Sequence, residues 1–223
     1  MTALNFAKIE QSKLRENVYF ALRDAFTRGE FAPGATVNLR GLADQLGTSM
    51  TPVREAVRRL VAEGALIDTP SRTLQVPAFD AARMLDLKKA RLALEALVLD
   101  LVIDRIDPAT LQAAAEILTA PRAPGAQLPD LQQNYRFHFT LYRASRSDVL
   151  VPMVEALWLQ YGAFLNLIIQ QSAAAEIDEH VFHHALITAI EQGDRAAAQA
   201  ALAQDIERSF HLIAPADPKE TSS

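Results

Sequence analysis

The sequence predicts a mainly α-helical protein, made of an N-terminal winged helix-turn-helix and a C-terminal all-α helical bundle. Strand patterns bounded by turn residues occur only before residue 77, whereas apolar residues recur at helical spacing from Asp80 onward. Charge divides at the same place: residues 1–77 hold ten Lys and Arg against eight Asp and Glu (+2), and residues 78–223 hold twelve against nineteen (−7). The basic part is therefore the part suited to binding nucleic acid.

The first domain, assigned to residues 1–77, contains a predicted pair of short helices between Leu42 and Leu60. Gly47 can adopt positive φ and end the first of them. Either Ser49 or Thr51 can cap the second helix. The elements around the pair follow the winged-helix order. They are a helix over 13–29, a turn at Pro33-Gly34, a strand over 37–39, and a hairpin of 65–68 and 73–76 joined by a turn at 69–72.

The second helix of the pair is the candidate reader of DNA. Pro52 fits its first turn, where no amide partner is needed. Its apolar positions recur at helical spacing, which leaves Arg54 and Arg58 on the outward face. A helix that presents arginines from its first turns meets the physical requirement for reading base edges in a major groove, so DNA binding is predicted.

The second domain, assigned to residues 78–214, follows a short linker at Pro77-Ala78-Phe79 and reads as helix throughout. Asp80 and Asp107 are predicted N-caps, and Pro108 suits the first turn after Asp107. The six predicted helices cover residues 81–106, 108–120, 130–145, 149–171, 176–192 and 194–213. The polar tail 215–223 is expected to be disordered.

Composition excludes several kinds of protein. The chain has no cysteine, which removes disulfides and thiolate metal sites. No apolar run is long enough to cross a bilayer, and the first ten residues lack the basic start and apolar centre of a signal peptide. The cytoplasm is the expected location.

Several short motifs are similar to those of the GntR family of bacterial transcription regulators: Pro33-Gly34, Leu42-Ala43, Leu46-Gly47, and above all Ser49-x-Thr51-Pro52-Val53-Arg54-Glu55-Ala56. The second half resembles the FadR-type ligand-binding domain, called FCD, in its six-helix VanR-like version. The motifs that carry this second resemblance are Arg91-x-x-x-Glu95, Phe137-His138, His183, and Ala189-Ile190 followed by Gly193-Asp194.

The first resemblance implies DNA contacts before the first reader helix, on the recognition helix and at the wing tip. The matching positions of this chain are Arg40, Ser49, Thr51, Pro52, Arg54, Arg58 and Arg72. Met50 stands where the family usually has arginine, and Thr73 where a glycine is usual. Because a bidentate guanine contact carries roughly 1–3 kcal/mol of discrimination, the operator is expected to differ from the family's common one or to be bound more weakly.

The second resemblance implies a divalent metal site with one ligand position each on Asn134, His138, His183 and Asp205. Asn134 and His138 are four residues apart and share a helix face. Nitrogen and oxygen ligands of this kind suit zinc, nickel, manganese or iron, and leave room for a small carboxylate. The alternative is that the two histidines are hydrogen-bonded core residues without metal. His180, one turn before His183, could support the site from behind its ligands, but is expected rather to face solvent.

Arg91 is the candidate effector-binding residue, since a guanidinium matches a carboxylate bidentately. The alternative for Arg91 and Glu95 is a surface i,i+4 salt bridge. Together these features predict a regulator, usually a repressor, that binds a palindromic operator as a homodimer and responds to a small organic acid. The alternatives are a DNA-binding protein whose bundle only dimerises, and a metal-dependent hydrolase. The chain lacks the motifs of common hydrolases and phosphate-binding loops, so no enzymatic activity is expected.

Overall fold

The computed structural model describes residues 11–69, 73–121, 129–169 and 180–213. Nine α-helices and three short strands lie in these ranges. In chain order they are α1 (Gln11–Thr27), β1 (Thr36–Val37), α2 (Leu39–Gln45), α3 (Met50–Ala62), β2 (Ile67–Asp68), β3 (Leu74–Gln75), α4 (Ala81–Arg105), α5 (Pro108–Thr119), α6 (Leu131–Ala144), α7 (Leu150–Ile169), α8 (Val181–Glu191) and α9 (Arg195–Ile213). The predicted fold class is confirmed.

The N-terminal elements form the predicted winged helix. β3 is the central strand of a three-stranded antiparallel sheet, paired with β1 through Thr36 and Gln75 and with β2 through Asp68 and Leu74. The strand predicted over 37–39 ends at Val37, because Asn38 caps α2 instead. Its side-chain oxygen accepts hydrogen bonds from the amides of the next turn, and Leu39 is already helical.

The C-terminal bundle begins where its caps predict. Asp80 accepts from two amides of the first turn of α4. Asp107 accepts from the amide of Thr110 in α5, and Asp130 accepts from the amide of Gln133 in α6. The helix predicted to start at 176 is described from His180, which is the N-cap residue of α8. Most of the stretch 121–129, between the second and third predicted helices, and the whole tail 215–223 lie outside the described residues. No described helix combines the length and apolarity that a membrane crossing requires.

Helix α7 belongs to both hydrophobic cores. Leu159 and Ala163 are buried in the N-terminal core, among residues of the winged helix. Gly162 lies against the backbone of α1: a Cβ placed there would be 2.4 Å from the carbonyl oxygen of Phe26. Glycine is therefore required at this contact, because any larger residue would push the two helices apart.

Polar contacts reinforce this junction. Gln160 donates from Nε2 to the carbonyl oxygen of Glu63 at 3.1 Å, at the C-terminal end of the recognition helix. Arg83, on α4, donates to the carbonyl oxygen of Gly64 at 3.2 Å and to Oε1 of Gln160 at 2.9 Å. The end of α3 is thus fixed to the bundle through side chains of α4 and α7.

Candidate functional site

The recognition helix α3 is held in place by its apolar face. Val53, Val57 and Leu60 are all at most 2 % exposed. Arg54 and Arg58 lie on the exposed face, four residues apart and therefore along one side of the helix. The helix presents two guanidinium groups outward on a packed support, as direct contact with base edges and phosphates requires.

The first residues of α3 divide between surface and core. Ser49 occupies the N-cap position with an extended backbone, and its side chain makes no capping hydrogen bond. Ser49 and Thr51 are exposed, whereas Pro52 is buried. This corrects the grouping of Pro52 with the DNA-contacting residues: its ring packs inward at a position where the helix needs no amide donor.

Other predicted DNA contacts surround this helix. Arg40 is exposed at the start of α2. Met50 is 38 % exposed, so an apolar side chain stands where the family usually has arginine. The amide of Thr73 donates to Oγ1 of Thr69 at 3.2 Å and closes the base of the wing. Arg72 lies outside the described residues, and its place at the wing tip stays a prediction.

Three of the four predicted metal ligands meet inside the bundle. His138 on α6, His183 on α8 and Asp205 on α9 place one ligand atom each within 4.8 Å of one another. Nε2 of His138 is 3.1 Å from Oδ2 of Asp205, and Nε2 of His183 is 3.4 Å from Oδ1. All three residues are buried. We call them the triad.

The triad fits a divalent ion by its unsatisfied atoms as well as by its spacing. Among the described residues, Nε2 of His138 and Nε2 of His183 are buried and have no hydrogen-bond partner of proper geometry. Both atoms nevertheless face the carboxylate of Asp205. An ion held between the two imidazoles and the carboxylate would give both Nε2 atoms a partner, which they lack in the cluster without an ion.

Neighbouring side chains set the tautomer of His138. The hydroxyl of Tyr142 donates to Oε2 of Glu95 at 2.5 Å and lies 3.2 Å from Nδ1 of His138. Because the hydroxyl proton is directed to Glu95, Nδ1 of His138 is assigned as the donor to the Tyr142 oxygen. The lone pair of His138 then lies on Nε2, toward Asp205, as a metal ligand requires.

His183 has a comparable support. Its Nδ1 lies 3.1 Å from Nδ1 of His180, and either ring can donate in this hydrogen bond. In the tautomer in which His183 donates, its Nε2 keeps the lone pair. The expectation that His180 faces solvent is wrong: His180 is half-buried and contacts His183. The neighbouring His184 is exposed, because it lies 100° around the helix from the buried His183.

The protonation state of His138 also suits a cation. Burial lowers the pKa of His138, which favours the neutral imidazole, the form that ligates metal.

Asn134, the fourth predicted ligand, lies one turn before His138 on α6 and is half-buried. Its amide oxygen is a neutral donor, weaker than the carboxylate that the family resemblance implies there. Its role as a ligand stays a prediction.

Arg91 is buried beside the triad. Its Nε donates to Oε1 of Glu95 at 2.5 Å, and its guanidinium carbon lies 4.4 Å from the ring centre of Trp158 and 4.7 Å from that of Tyr161. The alternative of a surface salt bridge is wrong, since Arg91 is 2 % and Glu95 0 % exposed. Packing of α7 and α9 against this face of α4 encloses the pair.

Two buried donors beside this pair have no acceptor among the described residues: Nη1 of Arg91 and Nε1 of Trp158. Trp158 also contacts His138, with ring centres 5.2 Å apart. A ligand carboxylate at this place would satisfy both donors. Glu95, Tyr142 and Trp158 were not predicted as site residues. Helical spacing could have indicated Tyr142, because it follows His138 by one turn.

Comparison with known protein families agrees with both resemblances. The model of bacterial regulatory proteins of the gntR family matches residues 14–74, and the FCD domain model matches residues 86–208. The FCD match covers all of the triad and Arg91 together with Glu95.

Individual relatives are transcription regulators. The HTH-type transcriptional regulator McbR of Escherichia coli K12 is 29 % identical over 92 % of this chain and 95 % of its own length. The HTH-type transcriptional repressor GlaR of the same organism is 25 % identical over 88 % of this chain and 91 % of its own. The solved structure of E. coli McbR/YncC superposes with a TM-score of 0.81 and covers 90 % of this chain and 96 % of that one.

Proposed function

The chain belongs to the GntR family of bacterial regulatory proteins and carries an FCD domain, and from this premise we propose that it is a homodimeric repressor controlled by a small organic acid. That it is a transcription regulator, and not an enzyme, follows from its family and relatives. The dimer, the palindromic operator, the repressing sign and the acid effector are the proposal.

The exposed arginines of α3 carry the DNA-binding half of the proposal. Arg54 projects from the first turns of a recognition helix whose other face is buried, and Arg58 follows one turn later. In a dimer with two-fold symmetry, two such helices would read the two halves of a palindrome. The acidic second domain stays away from the phosphates, which suits a separate sensing role.

The buried triad carries the sensing half. A divalent ion on His138, His183 and Asp205 would supply open coordination positions for a carboxylate, and Arg91 would add a charged donor beside Trp158. The effector can change DNA binding only through different affinities for two arrangements of the reader heads. The contact between α7 and the end of α3 offers a direct route for that coupling.

Replacement of Arg54 by alanine is expected to remove sequence-specific DNA binding without unfolding the chain. Each lost base contact should cost about 1–3 kcal/mol, and a dimer loses two. Fragmented genomic DNA captured by the purified wild-type protein and then sequenced should show a few enriched palindromes. The Arg54→Ala variant should show none. Arg136→Ala, which removes an exposed arginine from α6, is the control and should match wild type. Full specificity in Arg54→Ala would refute the assignment of α3.

Addition of zinc or manganese is expected to stabilise the wild-type protein, because an ion that binds only the folded state adds about 2.7 kcal/mol at roughly 100 times its Kd. The His183→Ala variant should lose this response. His184→Ala is the matched control, since it removes an adjacent but exposed imidazole. Thermal unfolding of wild type and of each variant, with and without the ion, measures the stabilisation. If wild type shows no response and His183→Ala merely unfolds, the histidines are core residues and the bundle serves dimerisation alone.

A further inference from the structure

An open groove of about 760 Å³ lies between α4, α8 and α9, beside the triad. Its walls combine an apolar surface with two cationic side chains. Its lining includes Met84, Lys88, Phe182, Glu207, Arg208 and Phe210. Phe210 separates the groove from Arg91, at 5.8 Å from its guanidinium carbon. The groove is therefore on the solvent side of the site described above.

Arg208 connects the groove to the triad. Its Nη2 lies 3.1 Å from Oδ1 of Asp205, the same oxygen that faces His183. Its guanidinium carbon lies 4.6 Å from the ring centre of Phe182, on the groove wall. The side chain is 23 % exposed, against 12 % for that of Asp205. Arg208 thus reaches the buried carboxylate from the groove.

A guanidinium on Asp205 is in conflict with a divalent cation on the same carboxylate. The two positive charges would be only a few ångströms apart in a site with little water, where repulsion is strong. The Oδ1 atom that accepts from Arg208 is also the oxygen that faces His183, on the side where the ion would lie. The contact between Arg208 and Phe182 does not depend on Asp205, so the side chain can leave the carboxylate and keep its packing.

We propose that Arg208 and the metal compete for Asp205, and that metal binding turns the guanidinium into the groove, where it binds a carboxylate at a second position, outside the one beside the metal and Arg91. This rests on the proposed function. A guanidinium binds a carboxylate through two parallel hydrogen bonds, and Lys88 adds a second positive charge to the wall. Met84, Phe182 and Phe210 suit an apolar body, so the ligand class is a carboxylic acid with an apolar part.

The competition is tested with zinc alone by titration calorimetry. Arg208→Met is expected to bind zinc roughly 10-fold more tightly than wild type, because the competing charge is gone. Arg208→Lys, which keeps the charge, should have a zinc Kd close to that of wild type. It is the variant to measure if Arg208→Met folds poorly. Lys88→Met is the matched control, since it removes a cation from the same groove; it should change the zinc Kd by less than about 2-fold. Unchanged or weaker binding in Arg208→Met would overturn the competition.

If the proposed metal site is wrong, the calorimetry gives a different result from the one that overturns the competition. If neither wild type nor any of the folded variants binds zinc, the proposed metal site falls, and the role of Arg208 falls with it. If wild type binds zinc and His183→Ala does not, the site stands, and the comparison of Arg208→Met with wild type decides the inference alone.

Release of the guanidinium is tested by NMR of the arginine side-chain Nε–H signals. The Arg208 signal, identified by its loss in Arg208→Met, is expected to shift when zinc is added, and to shift again when benzoate is added to the zinc-loaded protein. Benzoate is chosen as a carboxylate with an apolar body. A signal that does not respond to zinc would overturn the release, and one that responds to zinc but not to benzoate would overturn the anion-binding step.

Discussion

Replacement of Glu95 by alanine is expected to destabilise the protein by about 3–5 kcal/mol, because it leaves a buried guanidinium without its counter-charge. Burial alone would lower the pKa of Arg91, but Glu95 raises it above the ordinary value, so the arginine is charged in the folded state. Glu95 also accepts from the Tyr142 hydroxyl, and that hydrogen bond is lost as well. Urea denaturation, followed by the fluorescence of the single tryptophan Trp158, measures the free energy of unfolding.

The double variant Arg91→Met with Glu95→Leu separates charge from packing. It removes both members of the buried pair and fills the space with apolar side chains, so most of the lost stability should return. It should still lose any response to a carboxylate effector, because the guanidinium is gone. A loss below about 1 kcal/mol in Glu95→Ala would mean that water solvates Arg91 or that another acidic group neutralises it.

Replacement of Gly162 by alanine is expected to cost about 1–3 kcal/mol, the range for overpacking of a filled interior. The added Cβ would be 2.4 Å from the carbonyl oxygen and 2.9 Å from the carbonyl carbon of Phe26, both backbone atoms that cannot rotate away. α7 must therefore move away from α1. Urea denaturation measures the loss, and limited proteolysis at the 77–79 linker should become faster as the domains separate.

Gly41→Ala is the matched control for this substitution. Gly41 lies inside α2, and a Cβ there would meet only side-chain atoms of Asn38 at 3.8 Å, an ordinary contact. Alanine should be neutral or slightly stabilising at that position, because it has the higher helix propensity. If Gly162→Ala is equally harmless, the two helices have room to adjust and the close approach is not required for stability.

The helix boundaries were predictable because their signals are local. Asp80 and Asp107 cap helices that begin at the next residue, and Pro108 occupies the first turn. Asn38 is the exception: its β-like neighbours favoured a strand, whereas its side chain caps α2. The same residue type is compatible with a turn, a cap or a short strand, and only the tertiary setting chooses among them.

The sequence predicted which three candidate ligands lie together, but it did not predict the side chains around them. Spacing and family motifs indicated His138, His183 and Asp205, and the structure brings them together. The link from Glu95 through Tyr142 to His138 joins α4 to α6 across 47 residues, a separation at which no periodicity carries information. The burial of the Arg91 pair likewise depends on helices far along the chain.

The sharing of α7 between the two cores has a consequence for protein engineering. Regulators with separate reading and sensing domains invite exchange of one domain between relatives, with the linker as the cut. In this protein a cut at 77–79 would separate the winged helix from Leu159 and Ala163, which stay with the bundle on α7. The transplanted winged helix would then expose the cavity that these two side chains fill. A working hybrid sensor would have to carry this face of α7, with Gln160 and Gly162, into its new host.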